Sequence, residues 1–174
     1  MKRSFALWQL FGFAVVSLLG TLLHFLYEWT GESPWAAPFS GVNESTWEHM
    51  KLLFWPMLLF AAVEWFFFKD NKGHFSIKLR GILIGITLIP LLFYTYNGVI
   101  GPSPDFVNIS IFFIAGAVAF IYETHLFYRE NANYCSQRKA ISIILIIALL
   151  FILFTFRTPN LAIFKDPTTG QIGI

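Results

Sequence analysis

Apolar positions dominate five stretches of the chain, and the polar positions between them are short and clustered. Each stretch holds enough consecutive apolar residues for a helix to cross a bilayer, at about 20 residues per crossing. Backbone groups inside lipid must be satisfied within the segment itself, which only helices achieve at this length. The pattern therefore predicts an all-α, five-helix transmembrane bundle forming a single domain over residues 1–174, with helices at about 7–28, 45–68, 77–98, 106–128 and 139–156.

The start of the second helix carries the densest group of polar residues. The segment from Asn43 to Lys51 reads Asn-Glu-Ser-Thr-Trp-Glu-His-Met-Lys. Ser45 followed by Glu48 is the spacing of a capping box, in which each side chain bonds the other residue's free backbone N–H. The helix is predicted to begin near Ser45, and its ionisable neighbours indicate a site at this end.

Composition places the chain in the membrane. The 174 residues are 56% hydrophobic and 13% charged, against about 45–50% and about 25% in a soluble domain. The lipid bilayer is the predicted partner, and the net charge of +2 gives no basis for nucleic-acid binding. A single cysteine excludes an internal disulfide and a thiolate-rich metal site.

The distribution of Lys and Arg predicts the orientation, because cytoplasmic loops retain cations. Nine of the 12 cations fall on one side of the predicted membrane, including Lys2, Arg3, Lys69, Lys72 and Lys78, and only Lys51, Arg157 and Lys165 fall on the other. The amino terminus is expected in the cytoplasm and the carboxyl terminus outside. The segment around Glu48, the loop at Gly101–Asp105 and the tail near Asp166 then share the outer face.

Polar residues of three helices are expected to form an outward-facing pocket. On the first helix Ser17, Thr21, His24 and Glu28 recur at helical spacing, which predicts one face turned into the bundle. The third helix ends outward with Pro90 as an expected kink and with Tyr94 and Asn97 as a roof. The predicted binding pocket is made up of His24, Glu28, Asn43, Glu44, Glu48, His49, Tyr94 and Asn97.

A divalent metal such as zinc is one candidate ligand of this pocket. His24, Glu28, Glu48 and His49 offer the nitrogen and oxygen ligands that zinc accepts, although no HExxH motif is present. Two alternatives remain open: a metal-free pocket, or a purely structural arrangement in which Glu48 caps its helix and the other three residues pair with one another.

Two acids within predicted spans form a second candidate site. An ionisable group inside a membrane helix is costly, so Glu64 and Glu123 indicate a function by default, here a proton relay. The alternative is that both reach cations near the cytoplasmic interface. Gly81 and Gly85 form a GxxxG pattern, which serves internal packing or a homodimer.

The Asn43–Lys51 segment with its continuation Leu-Leu-Phe-Trp-Pro, and the motif Phe-Lys-Asp-Pro-Thr-Thr-Gly at 164–170, resemble a family of small bacterial multi-pass membrane proteins of unassigned function. The resemblance implies a multi-helix fold in a bacterial plasma membrane and brings no catalytic residues.

Three functions follow from these patterns. The first is binding or transport of a cation or small polar solute at the outer pocket, with Glu64 and Glu123 relaying protons. The second is a metal-dependent hydrolase at the outer leaflet, with Glu44 or Glu48 as general base to a metal-bound water. The third is a non-enzymatic accessory or sensor subunit. The sequence leaves open whether the protein is an enzyme.

Overall fold

Five long helices in an all-α arrangement make up the fold, as predicted. The computed structural model describes residues 2–68, 73–129 and 135–174, with side chains from Phe5 onward. The helices are α1 (Lys2–Trp29), α2 (Thr46–Phe68), α3 (His74–Val99), α4 (Asp105–Tyr128) and α5 (Gln137–Phe156), followed by the short 3₁₀ helix η1 (Ala162–Phe164). All five α-helices are long and apolar enough to span a membrane.

The helices form a bundle in which α3 is central. Helix α3 packs against α2, α4 and α5, while α1 packs against α2 and α4. Large apolar side chains such as Leu18, Leu59, Phe66 and Leu149 are exposed on the outside of the bundle, as expected for contact with lipid. The chain is therefore a bundle of membrane helices, and the cytoplasmic position of its amino terminus stays a prediction.

Small residues allow the close approach of α3 and α4. Gly81 faces Glu123, and a Cβ on Gly85 would meet Leu53 and Ala119. Ala115 and Ala119 on α4 are fully buried. The GxxxG pattern thus serves packing inside the bundle.

Residues 157–174 fold back over the end of the bundle that carries Glu44, hereafter the Glu44 end. The opposite end, where α2 finishes and α3 begins, is the Glu64 end. At the Glu44 end, Phe164 is buried against Trp47, with ring centroids 4.6 Å apart. The hydroxyl of Thr46 donates to the carbonyl of Ile163 at 3.1 Å. The two motifs that carried the family resemblance therefore contact each other.

Two cations used in the orientation argument, Lys51 and Lys78, are buried inside the bundle. Lys51 is inside α2 with no exposed surface, and Lys78 is inside α3 and 2% exposed. Buried carboxylates hold both within the bundle, so neither is a loop cation of the kind on which the orientation rule depends. Lys69 and Lys72 and the side chains of Lys2 and Arg3 lie outside the described residues.

Candidate metal site and buried charge clusters

Three of the predicted pocket residues converge at the Glu44 end. His24 comes from α1, Glu44 from the connection between α1 and α2, and His49 from the first turns of α2. His24 Nε2 lies 3.5 Å from Glu44 Oε1, and His49 Nε2 lies 3.6 Å from Glu44 Oε2. One ligand atom from each residue can be chosen so that all three lie within 4.8 Å of one another. We call this group the His–Glu–His cluster.

The spacing of these atoms suits a tetrahedral metal ion. Zinc binds nitrogen and oxygen at about 2.0–2.2 Å, so neighbouring ligand atoms of a tetrahedral site are about 3.3–3.6 Å apart. Both distances to Glu44 fall in this range, each measured to a different oxygen of the carboxylate. Closing the cluster on an ion therefore requires the carboxylate to turn and the two imidazoles to approach each other.

A backbone carbonyl orients the imidazole of His49. Its Nδ1 lies 2.9 Å from the carbonyl oxygen of Ser45. A carbonyl only accepts, so Nδ1 carries a proton and donates it, and Nε2 is the ring nitrogen that faces Glu44. This is the outer-shell contact that metal-binding histidines ordinarily make.

Glu44 is ionised in this setting. The interaction with His24 lowers the pKa of the Glu44 carboxyl below its ordinary value of 4.5, partial burial opposes this, and the neighbouring His49 lowers it further. Its side chain is 48% exposed, against 35% for His24 and 15% for His49. The cluster therefore faces solvent on the Glu44 side and protein on the His49 side.

Contacts with the C-terminal segment position Glu44. The backbone N–H of Glu44 donates to Asp166 at 3.4 Å. Asn43, the preceding residue, accepts from the Ser45 N–H at 2.9 Å and donates through its amide to the Gly173 carbonyl at 3.1 Å. Asn43 thus supports the pocket from outside the cluster.

A hydroxyl inserted into α1 positions His24. Ser40 donates to the carbonyl of Leu23 at 2.6 Å and accepts from the N–H of Tyr27 at 2.9 Å. These two backbone groups are hydrogen-bond partners in a regular helix, so the hydroxyl is inserted into the ladder next to His24. Ser40 itself is fully buried.

Two predicted metal ligands lie outside the cluster. Glu28 is exposed at the end of α1, and Thr21 on the same predicted inward face is exposed as well. Glu48 is 3% exposed and lies 2.6 Å from Lys51, while its carboxylate also accepts from the N–H of Val42. Glu44, rather than Glu28 or Glu48, is the carboxylate that lies beside the two histidines.

Only half of the predicted capping box is present. Ser45 accepts from the Glu48 N–H at 3.4 Å, but the reciprocal acceptor of the Ser45 N–H is Asn43. Glu48 does not serve as this acceptor because its carboxylate is committed to Lys51 and Val42.

The predicted roof residues lie in the last turns of α3. Tyr94 is 42% exposed, and Asn97 bonds the carbonyl of Phe93 and both the N–H and hydroxyl of Ser103. A cavity of about 10 Å³, room for about one water molecule, adjoins Glu44 and His49. Its far wall is formed by Ile89, Phe93, Asn108, Ile111 and Phe112, and not by Tyr94 or Asn97.

Lys51 is held in a closed ion pair beside the cluster. Its ammonium group contacts Glu48 at 2.6 Å, the carbonyl of Ala37 at 2.8 Å and the hydroxyl of Thr155 at 3.0 Å. An ammonium has three protons to donate, and each has an acceptor. The pair ties α2, α5 and the first loop together.

Glu64 and Glu123 meet at the other end of the bundle, joined by Lys78. The Lys78 ammonium lies 2.8 Å from Glu64 and 2.6 Å from Glu123. Both carboxylate side chains are fully buried. Both acids therefore contact a lysine that lies within α3.

An apolar layer separates the two ends. Phe54, Met57 and Phe60 of α2, with Ile82 of α3 and Phe120 of α4, are buried between them. A relay of protons from the outer pocket to Glu64 and Glu123 would have to cross this layer.

The sequence contained a usable indication of both buried lysines. Lys78 falls inside the predicted helix 77–98, and Lys51 falls inside 45–68, so both were already inside predicted spans. A cation within a span and a carboxylate within a neighbouring span favour a buried pair.

Comparison with known proteins supports the family resemblance. The profile of a family of unknown function, DUF6512, matches residues 1–174. No curated protein and no solved structure matches the chain. The bacterial plasma membrane location stays a prediction. The match covers the whole chain, which therefore belongs to the family of unknown function DUF6512.

Proposed function

We propose that this membrane protein binds a divalent transition-metal ion, of the class of zinc, at the His–Glu–His cluster. The observation that carries the proposal is the convergence of His24, Glu44 and His49, in which one ligand atom from each residue lies within 4.8 Å of the other two. Two imidazoles and a carboxylate form a ligand set typical of zinc.

The exposure of the cluster favours capture of an ion from solution. Structural zinc sites are closed by four protein ligands, whereas sites that exchange a ligand keep one position open. Here three protein ligands are available, and the Glu44 side of the cluster is exposed. The fourth position would take water or a solute. Transport of the captured ion would require the apolar layer below the cluster to open.

Binding has more support than hydrolysis. A metal-dependent hydrolase needs a general base within reach of the metal-bound water. Glu48 is committed to Lys51 and Val42, and Glu44 would itself be a ligand. The accessory-subunit role and the homodimer stay predictions.

Metal titration of purified, chelator-treated protein tests the proposal. We expect one zinc ion per chain, and a cobalt-loaded form with the visible absorption of tetrahedral coordination. His24→Ala, His49→Ala and Glu44→Gln should each weaken zinc binding by more than about 100-fold, since outer-shell changes alone cost about 10- to 100-fold.

His125→Ala is the matched control, because His125 is an exposed histidine on α4 near the opposite end of the bundle. Its affinity for zinc should equal that of the unaltered protein. If all three cluster variants bound zinc as tightly as the unaltered protein, the proposed function would be overturned.

A further inference from the structure

The charges at the Glu64 end do not balance. Glu64 and Glu123 are both 0% exposed, and Lys78 between them is 2% exposed. Two ionised carboxylates and one ammonium leave a net negative charge in a fully buried place. An uncompensated buried charge is so costly that the group takes up a proton instead. With Lys78 kept as an ammonium, one additional proton shared by the two carboxylates makes this cluster neutral.

His74 is the neighbouring group that could also hold this proton. Its Nε2 already donates to the carbonyl of Ala61 at 3.0 Å, and its Nδ1 is 3.7 Å from Glu64, beyond hydrogen-bond distance. His74 and Lys78 are also four residues apart on α3, where two positive charges repel each other. The carboxylates, at 2.6 and 2.8 Å from Lys78, are the better holders.

Both acids retain oxygen atoms that could carry the proton. Glu64 Oε2 and Glu123 Oε1 are buried and have no well-aligned hydrogen-bond partner among the described side chains. Glu123 uses only its other oxygen for Lys78.

We propose that Glu64 and Glu123 together hold one exchangeable proton, which makes the Glu64–Lys78–Glu123 cluster an intramembrane proton-binding site separate from the metal site. The ligand is a proton, released when one neutral carboxyl of the pair becomes a carboxylate. The apolar layer around Phe54, Met57 and Phe60 separates this site from the His–Glu–His cluster.

A groove between α1 and α4 reaches Gln9, which lies beside the cluster. It encloses about 270 Å³, and Gln9, Ala117, Phe120 and Thr124 are among its lining residues. Gln9 is 2% exposed, and its amide oxygen lies 3.5 Å from the Lys78 ammonium. This residue therefore connects the groove with the buried charges, and protons are expected to exchange past it.

Infrared spectroscopy of the purified protein tests the proposal, because a protonated carboxyl has its own C=O stretching band. We expect such a band at neutral pH that disappears as the pH is raised. Glu64→Gln and Glu123→Gln should each remove it, since the remaining carboxylate and Lys78 are then balanced. Glu48→Gln is the matched control: Glu48 is another buried acid, but it is paired one to one with Lys51, so the band should persist.

Absence of the band at every pH at which the protein is folded would overturn the proposal, as would its survival in either cluster variant. Protonation of His74, seen by NMR, would also overturn it. The wild-type chain gives a measurement that needs no variant: unfolding at neutral pH should release the held proton, because an exposed glutamate has a pKa of about 4.3. A chain that releases no proton contradicts the assignment.

The access route has its own test. Ala117→Trp should fill the groove. Exchange of the carboxyl proton for deuterium, followed by the shift of its C=O band, should then be at least tenfold slower. Ala62→Trp, on an exposed position of α2, is the control and should leave the rate unchanged. Equal rates in the two variants would overturn the α1–α4 groove as the route. None of these measurements involves zinc, so the proton site and the proposed metal function can fail independently.

Discussion

The side-chain amide of Asn43 donates a hydrogen bond to the backbone carbonyl of Gly173, 130 residues further along the chain. The residue after Asn43 is Glu44, which contributes the carboxylate of the His–Glu–His cluster. Asp166 adds a second link by accepting from the N–H of Glu44. The C-terminal segment therefore acts as the support that fixes the Glu44 backbone over the end of α1.

Replacing Asp166 should weaken metal binding without removing a ligand. Asp166 is 5% exposed and accepts from the N–H groups of Glu44, Thr168 and Thr169. We expect Asp166→Ala to leave these donors without their acceptor, to cost about 1–3 kcal/mol of stability and to weaken zinc binding about 10-fold. Calorimetric zinc titration and thermal unfolding measure the two effects.

Asp105→Ala is the control for this change, because Asp105 is an exposed acid at the same end of the bundle, in the first turn of α4. It should lose no more than about 1 kcal/mol, the usual contribution of an acid at a helix N-terminus, and no zinc affinity. If Asp166→Ala bound zinc as tightly as Asp105→Ala, the segment would have no supporting role.

Stability should fall at acidic pH through the same two acids. Burial raises the pKa of Asp166, but the N–H groups of Thr169, Thr168 and Glu44 outweigh it and hold the pKa below its ordinary value of 3.8. The pKa of Glu44 is also lowered, chiefly by His24. Groups with a lowered pKa in the folded state stabilise it above the unfolded value and lose that contribution as pH falls through the folded value.

The expected window therefore runs from about pH 5 downward, and melting temperatures in metal-free buffer across it provide the measurement. The double variant Glu44→Gln with Asp166→Asn should show a smaller loss of melting temperature between about pH 5 and about pH 2 than the wild type. If the melting temperature fell equally with pH in the wild type and the double variant, other groups would be responsible for the acid sensitivity.

The helices were predictable from the sequence because each is determined by its own residues. Apolar length alone predicted all five, and Gly81 and Gly85 correctly indicated close packing on α3. The candidate site was only partly predictable. The positions of His24 and His49 on their helices indicated that they belong to one pocket, but whether Glu44, Glu28 or Glu48 meets them depends on the path of the connecting loop. Ser40 and Asp166 fix that path through contacts that no local pattern reveals.

The two buried lysines show the same limit. Cation counting treats every Lys and Arg as part of a loop, although Lys51 and Lys78 lie within helices. Their partners are distributed differently: Glu48 is three residues away on the same helix, whereas Glu64 and Glu123 come from two other helices. Local spacing suggests the first pair, and only the packing of α2, α3 and α4 produces the second cluster.

Lys51→Met should be strongly destabilising because it leaves Glu48 buried without its cation. Breaking a buried pair by removing one partner costs about 3–5 kcal/mol. Adding Glu48→Gln to this variant should recover much of the loss, since the remaining side chain is then uncharged. Denaturant unfolding in detergent measures both. Lys139→Met, an exposed position near the start of α5, serves as the control, and a loss equal to that of Lys51→Met would show that the ion pair is not the cause.

Gly81→Ala should disrupt the Glu64–Lys78–Glu123 cluster by steric overlap. A Cβ at Gly81 would coincide with the carboxylate of Glu123, which has little room to move because Lys78 holds its other oxygen. Overpacking of this kind costs about 1–3 kcal/mol. Gly98→Ala is the matched control on the same helix, where a Cβ meets nothing within 4 Å, and it should be neutral or stabilising by about 1 kcal/mol. Thermal unfolding compares the two. Equal stability would mean that α3 and α4 can separate at no cost, and the close approach that encloses the carboxylates would then not be a fixed feature of the fold.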